Sequence, residues 1–310
     1  MMRSSVTPVS RTTTRENDVH SMAESRMNQE PAKTMTTGDF ERLSRFICSH
    51  CGIKMPPAKK TMLEARLQKR LRALGVPTFR DYCDRLFNSP DGPDELVRMI
   101  DSVTTNKTDF FREPVHFAFL SDSILSEFAE DRGGAAGAPF TVWSAGCSSG
   151  EEAYTLAIVL SEFADRSPGF RFTIMATDIS TRVLDKARAG IYEESQISMI
   201  PLPLKQKYFL RSKDRDKGLV RAASELRSHV AFQRLNLMDE RYQVRTGSVD
   251  AIFCRNVIIY FDRETQCRLL GRLCHYLRPG GHLFLGHSET IHGFDLPLTR
   301  LASTIYRKVP

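Results

Sequence analysis

Nothing in this sequence is apolar for long enough to cross a membrane. No run approaches the roughly 18 residues a span requires, and the opening stretch MMRSSVTPVSRTTTREN has no apolar core of a secretory signal. Cysteine is sparse, with seven scattered through 310 residues. That excludes a disulfide scaffold and makes a reducing cytoplasm the expected compartment. There is no internal repeat. There is neither a GxGxxG dinucleotide turn nor a GxxxxGK[ST] phosphate loop, and no Ser-His-Asp or Cys-His constellation. With 41% hydrophobic and 26% charged residues, the chain is neither collagen-like, mucin-like nor wholly disordered. Its length suits two domains, or one large domain with an appendage.

What is present starts with charge. The 44 basic and 37 acidic residues leave a net +7, a balance open to nucleic acid, an anionic membrane or an acidic protein partner. Residues 38–112 carry 14 basic and 10 acidic side chains, the largest share of the excess. Residues 1–37 are rich in Ser, Thr, Arg, Glu and Met without an apolar period, and are read as a disordered tail. Residues 38–112 read as a helical N-terminal domain with four helices. In the second, KKTMLEARLQKRLRALG, Leu63, Leu67, Leu71 and Leu74 form one stripe and Gly75 a C-cap. Opposite lie Arg66, Lys69 and Arg72, with Lys59, Lys60 and Arg70 adding charge. The bland reading of this basic face is a solvated amphipathic helix. Cys48 and Cys51, flanking His50, read as core thiols rather than a metal site, and no metal is expected.

Residues 113–310 change pattern. TVWSAG, RFTIMATD and SVDAIFCRN alternate with helices over EEAYTLAIVLSEFA, TRVLDKARAGIY and ETQCRLLGRLCHYL. The class is α/β, a Rossmann-like parallel sheet wrapped by helices. HLFLGHS and STIYRKV end the chain as two strands at an antiparallel edge. A short, charged, strand-like stretch at about 204–232 reads as a small β insertion.

The first strand–turn–helix, VWSAGCSSGEEAY, has small residues that admit close approach to the backbone. Glu151 and Glu152 directly after it disfavour phosphate and favour a ligand carrying positive charge. Asp178 ends the second strand, where an acid can accept from ribose hydroxyls; it could equally cap the helix from Ser180. A Gly-rich turn, a bias toward cations and a ribose acid together suggest S-adenosylmethionine.

The motifs NKTDFFRE, VWSAGCSSGEEAY, ATDIS, VLDKARAGIY, NLMD, FCRNVIIYFD and LRPGGHLFLGHSE, in this order, resemble the CheR family, the protein-glutamate O-methyltransferases of bacterial chemotaxis. The resemblance spans about residues 38–308. It implies S-adenosylmethionine as methyl donor, S-adenosylhomocysteine as product, and glutamate carboxylates of chemoreceptors as acceptors. It implies that Asn106, Thr108 and Arg112 lie against the cofactor, with Arg112 near its methionyl end and the substrate. Glu152 would accept from the methionyl ammonium, and Asp178 would hold the ribose. Asn236 and Leu237 would border the adenine, Arg255 and Asn256 would complete the pocket, and Tyr260 would stand near the transferred methyl. Taken alone, Arg255 could be structural, Tyr260 core and Asn236 a turn residue. His287 in GHSE ranks below these as a border residue.

A carboxylate acceptor is already ionised at neutral pH, so the missing general base suits the reaction, and Arg112 and Tyr260 are the expected catalytic residues. The resemblance also implies that the helical domain docks on the receptor's cytoplasmic helices. Some family members bind a receptor C-terminal peptide at the β insertion, where they carry a Gly-rich turn. Here SKDRDKG, with only Gly218, departs from that pattern and leaves tethering open. A monomer without nucleic acid or direct membrane insertion is expected. A nucleic-acid methyltransferase is disfavoured by the near-neutral catalytic part, and a non-enzymatic cofactor sensor by the intact motif blocks.

Overall fold

The computed structural model of the protein describes residues 34–131 and 138–309. Most of the expected tail, residues 1–33, lies outside the described residues. Its last residues do not follow the expectation, because Met35 is buried in the helical core. Thr36 caps α1 (Thr37–Cys51), accepting from the Asp39 N–H, while the Asp39 carboxylate accepts from the Thr36 N–H. This capping box starts the helix before the first residue of the apolar period, Phe40.

Three helices complete the small domain: α2 (Lys60–Leu74), α3 (Phe79–Asn88) and α4 (Gly92–Val103). Leu63, Leu67 and Leu71 are fully buried, and Gly75 ends α2 in the left-handed conformation. The basic face opposite is smaller than its sequence suggests. Arg70 makes a forked pair with Glu95 of α4, at 2.9 and 2.6 Å, and the Tyr82 hydroxyl of α3 donates to the same carboxylate at 2.9 Å. Arg66 donates to the carbonyls of Val103 and Thr104 and to the Thr105 hydroxyl. Both arginines lock the domain together: Arg70 pairs with a carboxylate that is buried, and Arg66 ties α2 to the chain end of α4.

Residues 104–112, grouped by sequence with the helical domain, pack against the next one: Phe110 belongs to its core, and the Phe111 N–H donates to Thr155. After α5 (Val115–Phe119) and α6 (Leu125–Asp131) comes a seven-stranded sheet. Its strands are β1 (Phe140–Ala145), β2 (Phe172–Asp178), β6 (Val230–Arg234), β7 (Val249–Cys254), β8 (Leu277–Leu285), β9 (Leu298–Ala302) and β10 (Ile305–Lys308). The order is β6-β2-β1-β7-β8-β10-β9. The first five run parallel; β10 and β9 are antiparallel. Helices α7 (Glu151–Ala164), α8 (Thr181–Ala189) and α11 (Arg263–Tyr276) connect the parallel strands. The strands succeed one another outward from β1 in both directions, so the sheet reverses there. Ligands bind outside the carboxyl ends of strands at such a switch point.

Two strand assignments change. The chain end holds three strands, not two; β9 is an edge strand with exposed side chains, which leaves no apolar alternation to read. The small sheet is β3-β5-β4, formed by β3 (Ile191–Glu193), β5 (Leu219–Ala222) and β4 (Phe209–Arg211, after α9, Leu202–Tyr208). It recruits β3 from ahead of the expected 204–232 insertion. In turn, α10 (Ser224–Ser228) and β6 return to the main fold. No helix among the described residues is long and apolar enough to cross a membrane.

Candidate active site

At the carboxyl ends of β1, β2 and β7 lies a cavity of about 420 Å³, within the size range of small-molecule sites. Asn106, Thr108, Arg112, Glu152, Asp178, Asn236, Leu237, Arg255, Asn256 and Tyr260 all line it. Residues separated by up to 154 positions are thus brought to one chamber. The helical domain closes one wall with Cys51, Ile53, Met55 and Arg66.

That wall is held by direct contacts. Gly52 caps α1 at φ +72°, and a Cβ there would come within 2.6 Å of the Met238 sulfur. The Asn236 side chain donates to the His50 carbonyl at 2.7 Å, and the Lys54 N–H to the Tyr260 carbonyl at 2.8 Å. Asn236 therefore ties the two domains as well as lining the cavity. Cys51 is buried, which pushes its thiol up to about 12, so it is a neutral core thiol.

The turn after β1 makes the floor. Gly146 adopts φ +89°, with Val257 2.5 Å from where a Cβ would sit, so only glycine allows β1 and β7 to meet there. Asp178 is buried. One of its oxygens accepts from the Ser148 N–H and the other from the Ser180 N–H, both at 2.9 Å. The cap of α8 is Ser180, whose hydroxyl accepts from Val183, so Asp178 is not the cap. Burial raises the Asp178 carboxyl above its ordinary value, and the two N–H groups oppose that rise. Each oxygen keeps a lone pair for a further donor.

Arg255 is the hub. Its side chain is 2% exposed and bridges Glu152 at 3.1 Å and Glu113 at 2.9 Å. It also donates to the Arg112 carbonyl. Its Nε is buried and has no hydrogen-bond partner among the described residues. Glu152 further accepts from the Ser144 hydroxyl at 2.6 Å. Burial raises the Glu152 carboxyl, against the pull of Arg255. For Glu113 burial acts the same way, but the hydrogen bond and charge of Arg255 outweigh it and hold the carboxyl below its ordinary value.

Arg112 is half-buried and donates to the Lys107 carbonyl at 3.2 Å, leaving most of its five donors for a ligand. The Tyr260 hydroxyl makes no hydrogen bond among the described residues. Thr108 lines the wall. Asn256 sits at φ +59°, a conformation asparagine tolerates. It is held there by Glu289, which is 4% exposed and accepts from the N–H groups of Asn256, Gly286 and Ile259.

Sequence reasoning did not find Glu113 and Glu289. Each acts across the fold on residues 30 or more positions away, and neither has a local pattern. The E of FFRE and the E of GHSE were the only signals.

The residues fit S-adenosylmethionine. Carboxylates face the chamber at both ends of the floor, an arrangement suited to an ammonium and a ribose. A doubly wound sheet with this switch-point chamber and no phosphate loop defines an S-adenosylmethionine-dependent methyltransferase. Comparison with known proteins is more specific. Residues 38–104 match the CheR methyltransferase all-alpha domain, and residues 106–307 match the CheR methyltransferase SAM-binding domain. The chain belongs to the CheR methyltransferase family. A chemotaxis protein methyltransferase of Borreliella burgdorferi is 41% identical over 260 residues, covering 84% of this chain and 90% of that one. The Escherichia coli protein of the same name is 40% identical over 272 residues, covering 88% and 91%. Chemotaxis protein methyltransferase 2 of Pseudomonas aeruginosa is 38% identical over 273 residues, covering 87% and 93%.

Proposed function

We propose that this enzyme esterifies glutamate side chains of chemoreceptors, in the cytoplasm, producing methyl esters and S-adenosylhomocysteine. The observation that carries the reading is the composition of the chamber. It pairs an arginine with donors to spare, Arg112, and a tyrosine, Tyr260, with the carboxylates Glu152 and Asp178, and no histidine among the described residues lines it. An acceptor that needs deprotonation would need such a base. A glutamate does not, since its ordinary pKa lies near 4.3. The names of the relatives, chemotaxis protein methyltransferases, point to the same acceptor class.

When bound, the cofactor supplies an electrophilic methyl on a sulfonium. Glu152 receives the methionyl ammonium, and Arg255 keeps that carboxylate in place. Asp178 accepts from the ribose hydroxyls, Leu237 and Asn236 border the adenine, and Asn106 and Thr108 close the near wall. Arg112 clamps the acceptor carboxylate, for which guanidinium geometry is suited. Tyr260 donates to that carboxylate and orients it. Catalysis then rests on alignment, with reacting atoms about 3–3.5 Å apart.

Lys60, Lys69 and Arg72 are the charges of α2 left for an acidic receptor bundle; Arg66 and Arg70 are engaged inside the fold. Steering of this kind shows as a salt-sensitive association rate.

The test is transfer of tritiated methyl to receptor-containing membranes. Base treatment should release the label as methanol. Protein that binds the cofactor but labels no receptor, or leaves a base-stable label, would overturn the assignment of acceptor.

A further inference from the structure

Beside Arg255, on the side away from the chamber floor, three ligand-type groups converge: Glu113, His116 and His287. One donor atom from each lies within 4.8 Å of the others. His116 Nδ1 is 3.6 Å and His287 Nε2 4.0 Å from the same carboxylate oxygen, Glu113 Oε2.

His116 is the decisive residue. It is 1% exposed. Its Nε2 is 2.9 Å from the Thr304 hydroxyl. That hydroxyl is also 2.8 Å from the Ser303 carbonyl. When it donates there, it accepts from His116 Nε2–H, and Nδ1 presents a lone pair. The Nδ1 atom is buried, has no hydrogen-bond partner among the described residues and lies 3.6 Å from a carboxylate oxygen. Two lone pairs aimed at each other in a buried site call for a positive centre between them. A second-sphere hydroxyl that fixes a histidine tautomer is also how metal-binding imidazoles are oriented.

From this geometry we infer that Glu113, His116 and His287 form a binding site for a divalent transition ion of the zinc type. Two imidazoles and one carboxylate are a recognised three-residue zinc set, with water in the fourth place. Bonds of about 2.0–2.1 Å place tetrahedral ligands about 3.3 Å apart. The two separations from Glu113 Oε2, 3.6 and 4.0 Å, are near this, and the histidine nitrogens, within 4.8 Å, must close further. His287 can supply that closure, since its side chain is 55% exposed. Arg255 is bridged by two carboxylates, Glu113 and Glu152, which offsets the arginine's repulsion of the ion.

Such an ion competes with Arg255 for Glu113 Oε2. Arg255 also holds Glu152, so occupancy weakens cofactor binding. This second part rests on the proposed role of Glu152; metal binding itself does not.

The test uses chelator-treated full-length protein and cobalt(II) as the probe. One equivalent is expected to bind with visible ligand-field absorption and no thiolate-to-cobalt charge-transfer band, and zinc should displace it. His287→Ala and Glu113→Gln should each weaken binding at least about tenfold. Circular dichroism confirms that both fold; His287 is on the surface, so its variant keeps the test decisive. A thiolate band would place the ion at Cys48 and Cys51 and overturn the site. So would affinity unchanged in both variants, or no saturable binding at millimolar cobalt. Separately, zinc should raise the Kd for S-adenosylhomocysteine in the wild type but not in His287→Ala. If cobalt binds as expected and this coupling is absent, the metal site stands and the link through Arg255 to the cofactor falls.

Discussion

Replacing Asp178 tests the cofactor site most directly. Its carboxylate accepts from two backbone N–H groups, those of Ser148 and Ser180, at 2.9 Å each. On the proposed reading it also accepts from two ribose hydroxyls. Hydrogen bonds to a charged group are worth about 1.5–3 kcal/mol each. Losing the ribose pair with partial compensation should cost about 2–3 kcal/mol, or roughly 30- to 150-fold in Kd for S-adenosylhomocysteine. Asp178→Ala also strands two buried N–H groups, at about 1–3 kcal/mol each, so urea melts must accompany the binding data. Asp178→Asn keeps one acceptor oxygen and should fold better. Titration calorimetry with the ligand and with its 2′-deoxy analogue separates direct contact from general damage. The wild type should lose about tenfold or more on deleting the hydroxyl; folded Asp178→Ala should lose little further, because the partner is already gone. An equal loss in both proteins, or binding within twofold of wild type for folded Asp178→Ala, would refute the ribose role.

Other consequences are as concrete. Arg112→Ala should lower receptor kcat/KM by about 100-fold, the scale of one lost charge-stabilising donor, and Tyr260→Phe should cut turnover while leaving cofactor Kd unchanged; normal turnover in both sinks the clamp. Arg70→Ala leaves Glu95, 1% exposed, without its ion-pair partner and should destabilise the protein by about 3 kcal/mol in urea melts. A loss of less than about 1 kcal/mol would show that water replaces the arginine. His282 is buried on β8; that burial first, then the charges of Arg307 and Arg278, lower it from 6.5 to about 4. Between these values the unfolded chain binds a proton that the folded one does not, so stability rises with pH across this window and is lost as pH falls toward 4. The difference is worth up to about 3 kcal/mol. Thermal melts of His282→Gln should show a shallower acid limb than wild type, and parallel limbs would count against the assignment.

Legibility in the sequence tracked burial and locality. The leucine stripe of α2, the continuous apolar strands β1 and β7 and the ATD end of β2 each carry their own signal within a few residues. So do the motif blocks that revealed the family. The reading failed where structure depends on distant partners. Arg66 and Arg70 looked like the rest of a solvated face, because nothing near them in sequence shows Glu95 or the Val103 carbonyl. The strand β3 has three residues and only one buried side chain, too short to show a period. Met35 and Thr36 were assigned to the tail because the apolar period begins later, although the capping box was there to be read.

The domain contacts explain why the helical domain accompanies the methyltransferase fold in one chain. The sheet alone makes only the floor of the chamber: Gly146, Glu152, Asp178 and Arg255. The near wall comes from residues 104–112 and from the end of α1, fastened by the Asn236–His50 and Lys54–Tyr260 hydrogen bonds. Tyr260 therefore has its backbone fixed by the helical domain and its side chain in the chamber. On the proposed reading a receptor helix docks on Lys60, Lys69 and Arg72, and the same helix α2 carries Arg66, which grips Val103 and Thr104 just before Asn106. Asn106 in turn accepts from the Ser148 hydroxyl at 3.0 Å, and the Ser148 N–H holds Asp178. On that reading substrate docking and cofactor binding would share this short run of contacts, which links α2 to Asp178.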